Sequence, residues 1–381
     1  MDLKYFSGYN LTETELDKIF KGDFTLMNKV FKYSLVMVLA LTMILTGCGS
    51  KSEKAANDKG ANSGTKSEAG ENKDKASNIK IGLVTDIGGV NDKSFNESSW
   101  EALEALKKEQ GIEIQYLQSS SNAEYIPNLT QFVQGGYDLT WAIGFDLGDP
   151  LKDVAAANPD SKFAIIDNEV EAPNVQSVTF AENEGSFLVG VVAGLTTKTN
   201  KIGFVGGAES VVIKRFEVGF KAGIEAVNPD AKLTVTYASG YDKPDVGKSL
   251  ATQLYNDGAD IIFPAAGQTG NGVFNEAATR NAAGGADKVW VIGVDKDQSI
   301  EFGTDVTLTS MIKRVDVAVK NISQQVIDGT FKGGTTTNLT LKDDGVGIAD
   351  NSNINVSKDI LDKVEEYKQK IISGEITVPA E

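Results

Sequence analysis

Histidine is absent from all 381 residues, and cysteine occurs once, at position 48. Without histidine there is no Ser-His-Asp triad and no imidazole to ligate a metal. A single cysteine excludes an intramolecular disulfide. Positive charge is also scarce: 37 Lys and Arg face 53 Asp and Glu, a formal charge of −16. That balance argues against phosphate backbones and anionic lipid headgroups as partners. Neither G-x-G-x-x-G nor G-x-S-x-G occurs. Gly247-Lys248-Ser249 ends like a phosphate loop, but Asp242 stands where the motif requires glycine. Asp295 and Asp297 lack the glycine and closing glutamate of a calcium loop. No metal, cofactor or nucleic acid is expected, and an enzyme is the least favoured class.

What is present begins with a leader. Lys29 and Lys32 precede an apolar run, Ser34 to Leu45, of 12 residues, followed by Thr46-Gly47-Cys48. A basic segment, a short apolar core and small residues before a cleavage point describe a secretory signal, too short to span a bilayer. Its LTGC end resembles the bacterial lipobox, which implies cleavage before Cys48 and a lipid thioether on its sulfur. Met27 stands directly before the basic segment, so residues 27–47 read as the signal and 1–26 as an over-called upstream extension. Removing residues 1–47 takes five lysines and five acidic residues, so the mature charge stays at −16. Residues 48–78 then carry the lipidated cysteine and a run without aromatic or branched aliphatic side chains. Such a segment cannot order itself by burial, and it reads as a flexible tether with a mean reach of roughly 30 Å.

After Ile79 the texture changes. Apolar residues make up 41% of the chain and aromatics 8%, and the length exceeds one ordinary core, so two domains are expected. Short runs (IKIGLV, IEIQYL, LTWAIG, KFAIID, VQSVTF) alternate with helical patterns ending near 108 and spanning 126–134, 151–157 and 184–196. KIGFVGG starts a second series, with a helix over 213–226, then LTVTYA, DIIFPAAG, VWVIGVD, LTSMI and a closing helix over 357–372. Strands rich in Val and Ile alternating with helices predict parallel sheets covered on both faces.

The second series repeats the first. Lys80-Ile81-Gly82-Leu83-Val84 aligns with Lys201-Ile202-Gly203-Phe204-Val205 at an offset of 121, and the same offset carries Phe95 onto Phe216. Two similarly built lobes are expected, each with a helix entered through a phenylalanine. Ligands of open α/β sheets bind beyond the carboxyl ends of the strands. That rule selects Asp86, Asp146, Gly267, Asp295 and Lys313, together with Phe95, Asn96 and Phe216. Two phenylalanines on facing walls could stack on both faces of a planar ligand. Carboxylates suit vicinal hydroxyls, while Asn96 and Lys313 could read heteroatoms on a base edge. Either ring could instead be a staple onto its own core, and Asp92 and Asp149 read as helix N-caps.

The leader, the polar tether, IGLVTDIGGVNDKSFNE, VIKRFEVGF, DIIFPAAGQTGNGV and VIGVDKDQ together resemble the basic membrane lipoprotein family, substrate-binding lipoproteins of ABC transporters similar to the purine nucleoside receptors. The resemblance covers residues 79 to about 372. It implies an α/β, type I periplasmic-binding-protein fold, two doubly wound parallel-sheet lobes joined by a three-strand hinge. It also implies a nucleoside held between Phe95 and Phe216, with Asp86, Asn96, Asp146, Gly267, Asp295 and Lys313 supplying polar contacts. The chain is then expected to be a monomeric extracytoplasmic receptor, held to the cell membrane by lipid alone and serving permease and ATPase subunits. One lobe is placed at 79–198 plus 314–331 and the other at 199–313 plus 332–381. A receptor for a sugar or other small molecule on the same fold, and a sensor or adhesin without a transporter, remain as alternatives.

Overall fold

The structure, a computed structural model, describes residues 78–284 and 288–381. The extension 1–26, the signal 27–47, Cys48 and the tether up to residue 77 lie outside the described residues. Two six-stranded sheets form the frame. The first contains β1 (Lys80–Thr85), β2 (Glu113–Gln118), β3 (Leu139–Ile143), β4 (Phe163–Ile166), β5 (Val175–Phe180) and β11 (Thr335–Leu339), in the order β11-β5-β4-β3-β1-β2. The second contains β6 (Lys201–Gly206), β7 (Lys232–Tyr237), β8 (Ile261–Ala265), β9 (Trp290–Asp295), β10 (Thr307–Lys313) and β12 (Val346–Ile348), in the order β12-β10-β9-β8-β6-β7. The two orders are the same pattern, and β1 and β6 stand 121 residues apart, as the repeat predicts. All pairs are parallel except β10 with β12.

Side chains alternate across each sheet, and both faces are buried. On β1, Ile81 and Leu83 enter one apolar cluster while Val84 enters another; on β6, Ile202 and Phe204 divide from Val205 in the same way. The covering helices are α1 (Phe95–Gln110), α2 (Tyr125–Gln134), α3 (Gly148–Ala157), α4 (Glu182–Thr196), α5 (Val211–Val227), α6 (Pro244–Asn256), α7 (Gln268–Ala282), the single turn α8 (Ser299–Phe302), α9 (Val315–Ile327) and α10 (Lys358–Ile372).

The chain passes between the lobes three times, and not where the sequence suggests. Helix α4 packs on α5 and α10, so it belongs with the second sheet and the first crossing falls at Ala181 rather than at 198. Helix α9 packs on α1, and Ser323 on it accepts from the indole of Trp141 on β3 at 3.0 Å, so the second crossing falls at Arg314, close to its expected place. Strand β11 then pairs with β5, which moves the third crossing from 332 to beyond Leu339. The first error arises because α4 follows β5 in sequence yet covers the other lobe. The last arises because TTTNL, an exposed edge strand, carries no apolar run.

Helices α4 and α5 approach unusually closely. A Cβ on Gly190 would meet the carbonyl oxygen of Phe220 at 2.3 Å, one on Gly219 that of Asn183 at 2.2 Å, and one on Gly223 that of Phe187 at 2.1 Å. Only glycine permits this backbone contact. It fixes α5, which carries Arg215 and Phe216, against the start of α4 at the first crossing.

Candidate functional site

The loops that follow the strands of both sheets converge on one cavity between the lobes. All eight residues selected from the sequence line it: Asp86, Phe95, Asn96, Asp146, Phe216, Gly267, Asp295 and Lys313. Asp86 follows β1, Asp146 lies just beyond β3, Gly267 caps α7 after β8, Asp295 ends β9 and Lys313 ends β10. Phe95 is the first residue of α1. Phe216 differs from its expected position, because α5 starts at Val211 and the ring projects from the sixth helical residue. It is 2% exposed, and its ring meets Phe263 edge-on with centres 6.2 Å apart. Phe216 thus combines the two readings open to it, packing into the core and facing the cavity.

The centre of the site is the ammonium of Lys313. It pairs with Asp167 at 2.6 Å and Glu182 at 3.0 Å. It also lies 5.2 Å from the ring centre of Phe95, 5.1 Å from that of Phe180 and 5.5 Å from that of Phe216. Both selected rings therefore border the same small volume, joined through one cation. Burial works to lower the Lys313 pKa, but Asp167, Glu182 and Asp295 overcome it, so the lysine is held charged. Burial raises the carboxyls of Asp167 and Asp295, with Lys313 opposing in both cases. Asp167 and Asp295 also share positive φ, 73° and 68°, in the left-handed region that aspartate tolerates at a cost of roughly 1 kcal/mol or more.

On the opposite wall Asp86 accepts from the Gly88 amide at 2.9 Å and the Asn96 side chain at 2.8 Å. Burial still raises it to about 6, and raises Asp92 to about 7. Asp146, exposed at the rim of the cavity, is raised by partial desolvation. Asp92 caps the start of α1 from two residues ahead of the N-cap, Ser94, rather than from the N-cap position expected; it accepts from the amides of Ser94, Asn96 and Glu97 at 2.9, 2.9 and 3.1 Å and also lines the cavity. Asp149 does not cap. It is the second residue of α3, exposed, and interacts only with the helix dipole.

Sequence reasoning missed four contributors. Asp167 obeys the same rule as Asp86, standing directly after FAII, and could have been found by applying it to every strand. Tyr241 lines the cavity from the loop after β7. Glu182, buried behind Lys313, pairs with the partly exposed Arg215 at 2.6 Å, and no local pattern announces a contact between residues 33 apart.

Contacts across the cleft hold the two walls together. Ser94 donates to Asp295 at 2.5 Å, Gln298 donates to the carbonyl of Lys93 at 2.8 Å, and Lys296 pairs with Glu97 and Glu101 at 3.0 Å each. The lobes are closed on the cavity.

Residues 79–381 match the family described as ABC transporter substrate-binding protein PnrA-like. The chain belongs to this family. Its members bind substrates for ABC transporters and are not enzymes. Among relatives, the "CD4+ T-cell-stimulating antigen" of Listeria innocua is 45% identical, covering 92% of this chain and 98% of that protein. The "ABC transporter nucleoside-binding protein BmpA" of Lactococcus lactis is 43% identical, covering 79% and 89%. A solved ABC transporter solute-binding protein of Aeropyrum pernix superposes with a TM-score of 0.74 at 29% identity, covering 80% of this chain and 94% of that one. The fold of this PnrA-like protein is accordingly the type I periplasmic-binding-protein fold. Such a protein implies a ligand and permease and ATPase partners. Among the described residues no helix is long and apolar enough to cross a membrane, and no group of acidic, Cys or His side chains is arranged to hold a metal ion.

Proposed function

We propose that the chain is a lipid-anchored, extracytoplasmic receptor that delivers nucleosides, purine nucleosides in particular, to an ABC importer. The observation that carries the reading is the convergence of Phe95 and Phe216, with six polar positions named from sequence, on one interlobe cavity. A base would stack between the two rings, and the carboxylates of Asp86, Asp146 and Asp295 would accept from ribose hydroxyls and base N–H groups. The excess of carboxylates over the single Lys313 disfavours an added phosphate. The relative from Lactococcus lactis, a nucleoside-binding protein by name, supports the same ligand class.

Anchoring is proposed through Cys48. The Listeria innocua relative aligns over 92% of the chain, an extent that residues 79–381 cannot supply alone, so part of the leader and tether is shared. The lobes would hinge at the three crossings, and the closed form would be the one a permease recognises. The protein is read as a monomer.

Calorimetric titration with adenosine, guanosine and inosine tests the ligand class, with binding expected for at least one. Silence from all of them, with a response to a free sugar, would transfer the site to the sugar-receptor reading. Labelling of the wild type with a fatty acid, lost on Cys48→Ala, is expected for the anchor; unlabelled wild type would remove it.

A further inference from the structure

The side-chain amide of Asn96 is clamped between two carboxylates. Its Nδ2 donates to Asp86 Oδ1 at 2.8 Å and to Asp92 Oδ2 at 3.1 Å, which uses both amide hydrogens. Turning the amide over would set its oxygen against both carboxylate oxygens at those distances, so one orientation is strongly preferred. The oxygen left over, Oδ1, is buried and has no partner, on a residue that is 1% exposed and lines the cavity. An amide oxygen only accepts, and a buried acceptor without a donor is costly.

Asp92 supplies more than its cap requires. Its carboxylate already accepts three backbone amides at the start of α1, from the N-cap Ser94 and from Asn96 and Glu97, and the bond to the Asn96 side chain is a fourth. We infer that Asp92 is a positioning residue: acting through Asn96, it keeps an acceptor turned to the cavity and makes the site select ligands that present an N–H donor at the base edge. This rests on the nucleoside reading above. The base edge is preferred to the ribose because Asn96 is adjacent in sequence to Phe95, on which the base would stack, and both line the cavity at the start of α1. The N1–H of inosine meets that demand. Purine riboside, whose base carries only ring-nitrogen acceptors at that edge, would oppose lone pair to lone pair.

The test is titration of the protein with inosine and with purine riboside. The wild type is expected to bind inosine at least about tenfold more tightly. Asp92→Asn frees the amide, and the preference should fall below about threefold because inosine loses more than purine riboside. Asn96→Ala, which leaves the cap intact, should erase the preference and keeps the inference testable if Asp92→Asn does not fold. Equal affinities for the two ligands in the wild type overturn the inference. So does a uniform loss in Asp92→Asn with the ratio preserved, which would make Asp92 a cap and nothing more. A preference retained by Asn96→Ala would place the reading elsewhere. Wild type that binds neither these nor any other nucleoside would sink the receptor reading itself, and this inference with it.

Discussion

The two lobes share one strand order but bring unlike walls to the cavity. Nine residues separate β1 from α1, and four separate β6 from α5. The longer loop gives the first lobe room for Asp86 and Asp92 before Phe95 opens the helix. The shorter one starts α5 early, so Val212, Ile213 and Phe216 arrive from its opening turns. The first wall is acidic and hydrogen-bonding; the second is apolar apart from Asp295, Tyr241 and Lys313. Loop length thus helps give two similar strand-loop-helix units unlike faces, one polar and one largely apolar.

Removing the one cation should break this division most severely. Lys313→Met leaves Asp167 buried without a cation and Glu182 with Arg215 alone, and a loss of about 3–5 kcal/mol is expected in denaturant unfolding. A loss below about 1 kcal/mol would mean that the carboxylates simply take up protons. The two rings should separate next. Phe216→Ala opens a hole in the second core and is expected to cost about 3 kcal/mol as well as affinity. Phe95→Ala, at a half-buried helix start, should cost under about 1 kcal/mol of stability but at least about tenfold in nucleoside affinity. Equal stability losses would erase the contrast between the walls.

The acidic wall should also show itself in pH. Asp86 and Asp92 have folded-state pKa values raised to about 6 and about 7, above their unfolded values. The folded protein therefore binds more protons than the unfolded chain between roughly pH 4 and pH 7. Ligand-free stability should rise as pH falls through that window, by on the order of 4 kcal/mol between pH 8 and pH 5, and thermal melts at those two values would check it. A lower melting temperature at pH 5 would mean that the four N–H donors around Asp92 outweigh its burial. The smallest effect belongs to the rim. Lys296→Ala removes pairs with Glu97 and Glu101 that exist only while the lobes touch, and should weaken ligand binding about two- to fivefold with no change in the melt of the ligand-free protein.

Much of this was legible before any coordinates. Buried parallel strands such as LTWAI and IIFPA announce themselves because both faces must be apolar, and the repeat located equivalent loops in the two lobes. The rule that sites gather beyond strand ends then brought eight residues to one cavity. What escaped was of two kinds. Strand β11 is polar and exposed, so nothing in TTTNL marks it as a strand, and the crossings were displaced with it. Glu182, Arg215 and the clamp around Asn96 depend on which distant groups meet, and that is decided by packing rather than by local pattern.

The glycines between α4 and α5 have a bearing on what the cavity can hold. The wall that carries Phe216 stands where it does because three Cβ atoms are missing behind it. The calibre of the binding space is therefore gauged from the far side of a helix, by residues no ligand reaches. Alanine at position 219 or 223 would leave every lining side chain unchanged and still press that wall inward, narrowing the slot for a planar ring. Ligand size in this protein is set as much by hydrogens out of sight as by the side chains in view.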